Sequence, residues 1–230
     1  MVGNTVLINA WQDSVKEIER KKKQNGTLFI TCRHISTFID GENYIKRHGL
    51  RPVNDLFADP KSPINVFLLK NEIRINTKKR TIAFQGEEQK IEKYLGCNLF
   101  YKLYSTFING NPEREAFAFS GSEEQMLSYS AVGCFPEIIG DIEDYIKERF
   151  IRSVDLRGQW NNQRKTVIYE FNVPLTMLNT LGGNHGENLI NEILDSKSQQ
   201  MEGLRCNEVY VRIDNSYRID YNDMARKYIY

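Results

Sequence analysis

The chain has 230 residues, of which 40% are hydrophobic and 27% are charged, a composition typical of a globular domain rather than a disordered segment. Its 31 Lys and Arg nearly balance 30 Asp and Glu, so the net charge is +1, and a nucleic-acid or anionic-membrane partner would need a local basic patch. No apolar run of about 18 residues and no basic-then-apolar leader is visible, so we expect a cytoplasmic protein without a membrane partner.

The first elements alternate between helix and strand. Leu7, Trp11, Val15 and Ile18 recur at helical spacing and predict a helix over residues 4–24, which we expect to pack as an N-terminal helix (residues 1–26) on the domain that follows. The stretch 28–33 alternates as a strand and leads directly into Arg33 and His34. A helix over 37–48 follows, closed by Gly49.

The next part of the chain predicts hairpins and a helix. Residues 64–84 alternate in β-like runs around Lys70-Asn71 and Thr77-Lys78, with a basic rim at residues 78–80. Solvent exposure explains these charges most simply, and contact with nucleic acid is the alternative. Residues 87–104 have a helical pattern, with aromatic side chains that we expect in the core.

The remaining elements predict a single α+β domain over residues 1–230. A strand, a Ser-Gly-Ser turn and a helix capped by Ser122 span residues 115–130. Further predictions are helices over 136–150 and 188–199, strands over 166–173 and 206–214, and a C-terminal helix over 222–230.

Cysteine and histidine spacing does not predict a metal site. The four cysteines are far apart, with neither a CxxC pair nor a histidine at metal-ligand spacing. We therefore expect free thiols and no metal, and the polar residues at strand ends become the candidates for chemistry.

Three separated blocks resemble the ADP-ribosyltransferase superfamily of the poly(ADP-ribose) polymerase and diphtheria-toxin type. His34-Ile35-Ser36 resembles the family's His-x-Ser/Thr, and Phe119 followed by a turn and a helix bearing Ser128-Tyr129 resembles its second block. Asn207-Glu208 before Val-Tyr-Val resembles the third block, in which the glutamate is catalytic. The resemblance implies a split mixed or antiparallel β-sheet core with peripheral helices.

The resemblance also implies a set of roles around NAD, which is a substrate here. Glu208 would be catalytic, His34 and Ser36 would orient the dinucleotide, and Tyr129 would stack on the nicotinamide ring with Phe119 as a second wall. A carboxylate beside the ribose stabilises the positive charge that develops when the nicotinamide bond breaks.

A second subclass fits the same blocks. Arg33, the turn 120–122 and Glu208 resemble the Arg-Ser-Glu arrangement of bacterial toxins, in which Arg33 would contact NAD. Arginine-modifying members carry a second acid two residues before the catalytic glutamate, where this chain has Cys206, which disfavours arginine as the acceptor. Ile35 also replaces a glycine of the best-known members. Because neighbouring residues of a strand face opposite sides, only Arg33 or His34 can face one cleft.

The sequence therefore leads to one main function and two alternatives. The main one is a bacterial mono-ADP-ribosyltransferase that acts on a protein or nucleic-acid acceptor as a toxin, an effector delivered into a target cell or a defence enzyme, with a cognate antitoxin or immunity protein as a further partner. The alternatives are a non-catalytic module of the same fold that binds a nucleotide or a protein, and an unrelated α+β interaction protein.

Overall fold

The computed structural model describes residues 4–94, 97–104, 114–128, 133–180, 185–204, 207–214 and 216–229. The chain forms two compact units, the first from residues 1–35, 113–129 and 167–229 and the second from residues 36–112 and 130–166. Helices and strands are both present in quantity, which confirms the α+β class. The organisation as one domain stays a prediction.

The secondary structure follows the chain as β1 (Thr5–Ile8), α1 (Val15–Lys22), β2 (Thr27–Phe38), α2 (Asn43–His48), α3 (Val53–Ala58), α4 (Pro63–Lys70), β3 (Ile73–Asn76), β4 (Thr81–Phe84), β5 (Glu87–Lys90), α5 (Asn98–Tyr104), β6 (Arg114–Phe119), α6 (Glu123–Leu127), α7 (Glu137–Arg149), α8 (Leu156–Asn161), β7 (Lys165–Pro174), β8 (Leu178–Thr180), α9 (Glu187–Met201), β9 (Val209–Ile213) and β10 (Ala225–Ile229). The helices in the described ranges do not include a candidate membrane span.

The larger sheet has the strand order β10-β7-β2-β6-β9-β8, with β1 added beside β2. β1 and β2 are parallel, whereas β2 with β6, β6 with β9 and β8 with β9 are antiparallel. The order places β2, β6 and β9, which are far apart in the sequence, next to one another. These are the strands that carry or adjoin the three blocks of the resemblance.

Helices α1 and α9 cover apolar side chains of the first unit. The two helices pack against each other, and α9 also contacts β6 and β9. Ile18 of α1 and Ile193 of α9 are fully buried, as are Ile30 and Val211 of the sheet. Burial of such side chains supplies most of the stabilisation of a unit of this kind.

The second unit combines the sheet β3-β4-β5 with helices. Its core includes Phe67, Ile82, Ile142 and Trp160, all nearly inaccessible to solvent. The rings of Phe67 and Trp160 meet edge to face at 5.0 Å, and the Trp160 indole donates a hydrogen bond of 3.0 Å to the Thr37 hydroxyl. The polar atom of this large core side chain is therefore satisfied.

The predicted helix over 4–24 is wrong in its first part. Thr5–Ile8 forms β1, which pairs in parallel with the residues from Thr27 to Ile30 and buries Val6 and Ile8 on one face, while Leu7 is exposed on the other. The helix begins only after Ser14, which accepts a hydrogen bond from the Glu17 amide, while the Glu17 carboxylate accepts one from the Ser14 amide. This capping box defines the true start.

The first β-like run of residues 64–84 is also wrong, because Pro63–Lys70 is a helix. Ser62 accepts a hydrogen bond from the Asn65 amide, and Pro63 occupies the first turn, where its missing N–H costs nothing. The second run does form the hairpin of β3 and β4. Among the described residues of 87–104, only Asn98–Tyr104 is helical, and Glu87–Lys90 is instead a strand paired with β4.

The strand before His34 is longer than predicted, and the C-terminal helix is wrong. β2 continues to Phe38, so Arg33 and His34 lie inside the strand and α2 starts only at Asn43. Ala225–Ile229 forms β10 beside β7, because an open sheet edge offers backbone hydrogen bonds that a short isolated helix would lack.

The other predicted elements are confirmed to within a few residues. They are β6, α6, α7, β7, α9 and β9, and Ser122 caps α6 by accepting a hydrogen bond from the Gln125 amide. The short elements α3, α8 and β8 were not predicted.

Asp141 on α7 carries an unusual carboxyl group in the second unit. Its Oδ2 atom is buried and has no hydrogen-bond partner among the described residues. Burial raises the pKa of the Asp141 carboxyl to about 6, an effect that Lys102 partly opposes. Since the charged form is disfavoured by the fold, this group destabilises the protein at neutral pH.

We expect Asp141→Asn to increase stability above pH 6 and to have little effect near pH 4. Because the pKa is raised in the folded state, the contribution of this carboxyl to folding stability is fully present below its unfolded-state pKa. That contribution is lost as pH rises through about 6. After discounting for partial exposure, the gain in unfolding free energy at neutral pH should be about 1–2 kcal/mol. Urea unfolding across this pH range measures it, with Asp195→Asn as the exposed control. An equal gain at low and neutral pH would contradict the assignment.

Candidate functional site

A row of three side chains crosses the larger sheet at Arg33. Arg33 of β2 is opposite Phe117 of β6, and Phe117 is opposite Tyr210 of β9. The Phe117 and Tyr210 rings lie 4.7 Å apart. Because directly opposed residues share a face of a sheet, these residues define one side, called here the Arg33 face.

Two polar contacts extend the Arg33 face onto β7. The Thr31 hydroxyl donates a hydrogen bond of 2.9 Å to the Asn172 side chain. Two nitrogens of the Arg33 guanidinium, Nε and Nη2, each lie 2.8 Å from Oε2 of Glu170. The face therefore combines polar groups from β7 and β2 with aromatic rings from β6 and β9.

A second carboxylate approaches the same guanidinium from α6. Arg33 Nη1 lies 3.6 Å from Oε1 of Glu123, and the other Glu123 oxygen accepts a hydrogen bond of 2.5 Å from Lys227 of β10. The Arg33 side chain is only 16% exposed. A guanidinium with so little water around it needs such charge-assisted partners to offset its desolvation.

An indole ring completes the surroundings of Arg33. The guanidinium carbon lies 4.4 Å from the centre of the Trp11 ring, a cation–π geometry. The Trp11 ring in turn lies 6.2 Å from that of Phe119. Trp11, expected on a helix, instead belongs to the loop between β1 and α1.

Lys197 of α9 closes the other side of Phe119. Its ammonium lies 5.2 Å from the centre of the Phe119 ring and donates a hydrogen bond of 2.5 Å to the Ala10 carbonyl. Burial lowers the pKa of Lys197, while Asp13 and Glu17 oppose that shift.

The Trp11 Nε1 atom is buried and has no hydrogen-bond partner in the part of the chain that the structure describes.

Glu208 lies just before β9, and its carboxylate accepts a hydrogen bond from a side chain of α6. The Gln125 side-chain amide donates a hydrogen bond of 2.9 Å to Oε1 of Glu208. The preceding backbone is also fixed, because the Ser196 hydroxyl donates to the Asn207 carbonyl. The carboxylate therefore has a defined position although it lies outside a regular element.

The short helix α6 connects Arg33 with Glu208. Glu123 contacts Arg33 and Gln125 contacts Glu208. Residues two positions apart leave a helix on roughly opposite sides, so α6 reaches the two groups with different sides of its first turn. The turn before it is also anchored: Ser120 donates to the Ser122 carbonyl, and Gln200 donates to the Gly121 carbonyl.

His34 lies on the opposite side of β2 from Arg33, as strand alternation requires. Its Nδ1–H donates a hydrogen bond of 2.9 Å to the Glu115 carbonyl, whose oxygen can only accept. Ser36 follows two residues later on β2 and belongs to the second unit.

The structure thus brings together some of the predicted site residues. Arg33 and Phe119 share Trp11 as a neighbour, and Glu208 is tied to the helix that contacts Arg33. Phe119 is 1% exposed, so its ring is covered by neighbouring protein groups. Tyr129 lies outside the described residues, and its role stays a prediction, as do the roles of His34 and Ser36.

The sequence reasoning missed Trp11, Gln125, Glu123 and Glu170. Only Glu123 had a visible signal, as an acid in the first turn of a capped helix, and that signal indicates helix stabilisation. Among the described residues, no three His, Cys, Asp or Glu side chains are grouped as metal ligands. No family model matches the sequence, and neither a curated protein nor a solved structure is significantly similar to the chain.

We expect Arg33 and Glu170 to be coupled in stability. Arg33→Met and Glu170→Gln should each lower the unfolding free energy by about 1–3 kcal/mol, because each leaves a half-buried charged or polar partner without its counterpart. The double variant should recover part of this loss, with a coupling energy of about 1–2 kcal/mol.

A double-mutant cycle from urea unfolding measures this coupling. The exposed pair Arg218 and Asp220, joined at 2.6 Å with side chains 71% and 47% exposed, provides the control cycle. Its coupling should be below about 1 kcal/mol, as for other solvent-exposed ion pairs. Equal coupling in the two cycles would show that the Arg33 contacts are no stronger than those of a surface pair.

Proposed function

We propose that the chain is an NAD-dependent mono-ADP-ribosyltransferase with Glu208 as its catalytic carboxylate. The observation that carries the proposal is the strand order β2-β6-β9. The three sequence blocks that resemble the superfamily lie on, or directly beside, these adjacent strands, although they are spread over most of the chain. Chance matches in unrelated parts of a fold would not be expected to meet in this way.

The chemistry requires a fixed negative charge beside the ribose. When the bond between nicotinamide and ribose breaks, the electron pair leaves with nicotinamide and positive charge develops on the sugar. The Glu208 carboxylate stabilises that charge, and Gln125 orients it through a neutral amide that leaves its negative charge uncompensated. The acceptor then adds to the ribose carbon and loses its proton.

Arg33 is the better candidate than His34 for binding the dinucleotide. Arg33 lies on the face of Phe117 and Tyr210, and it contacts Glu123 of α6, the helix that holds Glu208 through Gln125. A guanidinium binds phosphate oxygens through paired hydrogen bonds. In this proposal, the pyrophosphate of NAD replaces Glu170 or Glu123 at Arg33.

One observation favours a second candidate, a non-catalytic nucleotide-binding or protein-interaction module. Arg33 already has two carboxylates and an indole as neighbours, so NAD has to compete with them. Calorimetric titration with NAD, combined with an assay of nicotinamide release, separates the candidates. Absence of binding supports the protein-interaction module, binding without release supports the nucleotide-binding module, and release supports the transferase.

We expect Glu208→Gln to reduce nicotinamide release and ADP-ribose transfer by on the order of 100-fold or more while the protein stays folded, because the amide cannot stabilise the ribosyl cation. The measurement is incubation with labelled NAD and a cell lysate. The exposed Glu202→Gln, which removes the same charge elsewhere in the first unit, is the matched control. Full activity of Glu208→Gln would refute the proposal.

We expect Arg33→Gln to raise KM for NAD about 10-fold or more, because it removes the contact with phosphate. His34→Gln should change KM by less than about 3-fold, since its Nδ1 contact is structural and an amide can replace it. Initial rates over a range of NAD concentrations give both values. If His34→Gln raises KM for NAD more than Arg33→Gln does, the chain belongs to the histidine subclass.

A further inference from the structure

A cluster of cations occupies the turn between β3 and β4 in the second unit. Lys78, Lys79 and Arg80 are consecutive and exposed, and none of them makes an ion pair within the described part of the chain. Within the turn, the Asn76 side chain accepts a hydrogen bond of 2.9 Å from the Lys79 amide. Positive charges held so close repel one another unless an anion neutralises them.

Arg80 connects this turn with aromatic side chains of α5. Its backbone has a φ of 55°, which is unusual for a residue other than glycine. The guanidinium carbon lies 5.1 Å from the centre of the Tyr104 ring and 6.0 Å from that of Phe100. The turn therefore places this exposed cation beside aromatic rings.

The aromatic group continues to the protein surface. The rings of Phe100 and Tyr104 lie 5.3 Å apart, and Tyr101 meets Phe100 edge to face at 5.9 Å. Tyr101 is 37% exposed, so part of its ring is available to a ligand. We call this combination the hairpin surface, formed by Lys78, Lys79, Arg80, Phe100, Tyr101 and Tyr104.

The outer face of the small sheet adds further positive charge. Lys90 is opposite Thr81, and Arg74 is opposite Ala83, while the alternate residues Ile82 and Phe84 are buried. Lys90 and Arg74 are both exposed on this outer face. Glu88 is also opposite Ala83 and exposed, so Arg74 and Lys90 share this outer face with an acid.

We propose that the hairpin surface binds single-stranded nucleic acid. Cations that track phosphates, together with aromatic rings on which bases stack, are the two features that such sites combine. Lys78 and Lys79 neutralise phosphates, and Tyr101 stacks on an unpaired base. A duplex offers the phosphates but keeps its bases stacked on one another, so it engages only half of the site. This site lies within the second unit and does not depend on the transferase activity.

The test is fluorescence anisotropy of the full chain with a labelled single strand of about 20 nucleotides, long enough to exceed common site sizes. Binding should weaken about 7-fold between about 50 and 200 mM salt if Lys78 and Lys79 each neutralise one phosphate. A duplex, a poly-glutamate peptide and anionic vesicles are the competitors. The proposal is overturned if any of these competitors binds the protein as tightly as the single strand does.

Two variants separate the charge from the stacking contribution. Lys78→Gln with Lys79→Gln should reduce the slope of log affinity against log salt by about 1.4, because two phosphate contacts are lost. Tyr101→Ala should weaken binding about 5-fold or more at every salt concentration without changing the slope. The matched control is Lys61→Gln with Lys70→Gln, two exposed lysines elsewhere in the second unit.

Thermal unfolding checks that each variant is folded. The proposal is overturned if the control pair reduces binding as much as the turn pair does. It is also overturned if folded Tyr101→Ala binds like the unchanged protein. Neither outcome bears on Glu208, because nicotinamide release is measured separately.

Discussion

The largely buried guanidinium of Arg33 is the constraint on which the first unit depends. Arginine keeps its charge at any ordinary pH, so its position inside β2 is tolerated only with partners. Glu170 of β7, Glu123 of α6 and the Trp11 ring supply them. Each partner comes from a different part of the chain. The same guanidinium therefore helps to hold β2 beside β7, α6 beside β2, and the loop before α1 in place.

This constraint also determines the surroundings of Glu208. The helix α6 is attached to the Arg33 side by Glu123 and holds Glu208 through Gln125. Because α6 is only five residues long, it cannot be stable by itself and owes its position to these contacts and to its Ser122 cap. In the proposed reaction, a ligand that displaces Glu123 from Arg33 therefore acts on the helix that orients the carboxylate.

The second unit organises its charge differently. Arg157 contacts Glu143, Asp144 and the Gly140 carbonyl, so its positive charge is neutralised by neighbouring groups of the same unit. The turn at Lys78, by contrast, presents consecutive cations without acidic partners in the described residues and joins them to aromatic rings through Arg80. Exposed charge without acidic partners is a property of binding surfaces more than of folding. The two units therefore support separate proposals.

The sequence by itself determined the elements whose signals are local. The capped helix after Ser122, the alternating strands β7 and β9 and the long amphipathic α9 follow from side-chain periodicity and hydrogen bonds between near neighbours. Glu208 and Arg33 were visible as polar residues at strands. Only the tertiary structure decided that Thr5–Ile8 and Ala225–Ile229 are strands, since their hydrogen-bond partners lie on distant segments. It also decided that Trp11, Glu170 and Gln125 surround the site, because contacts between residues far apart in sequence leave no periodic pattern in the chain.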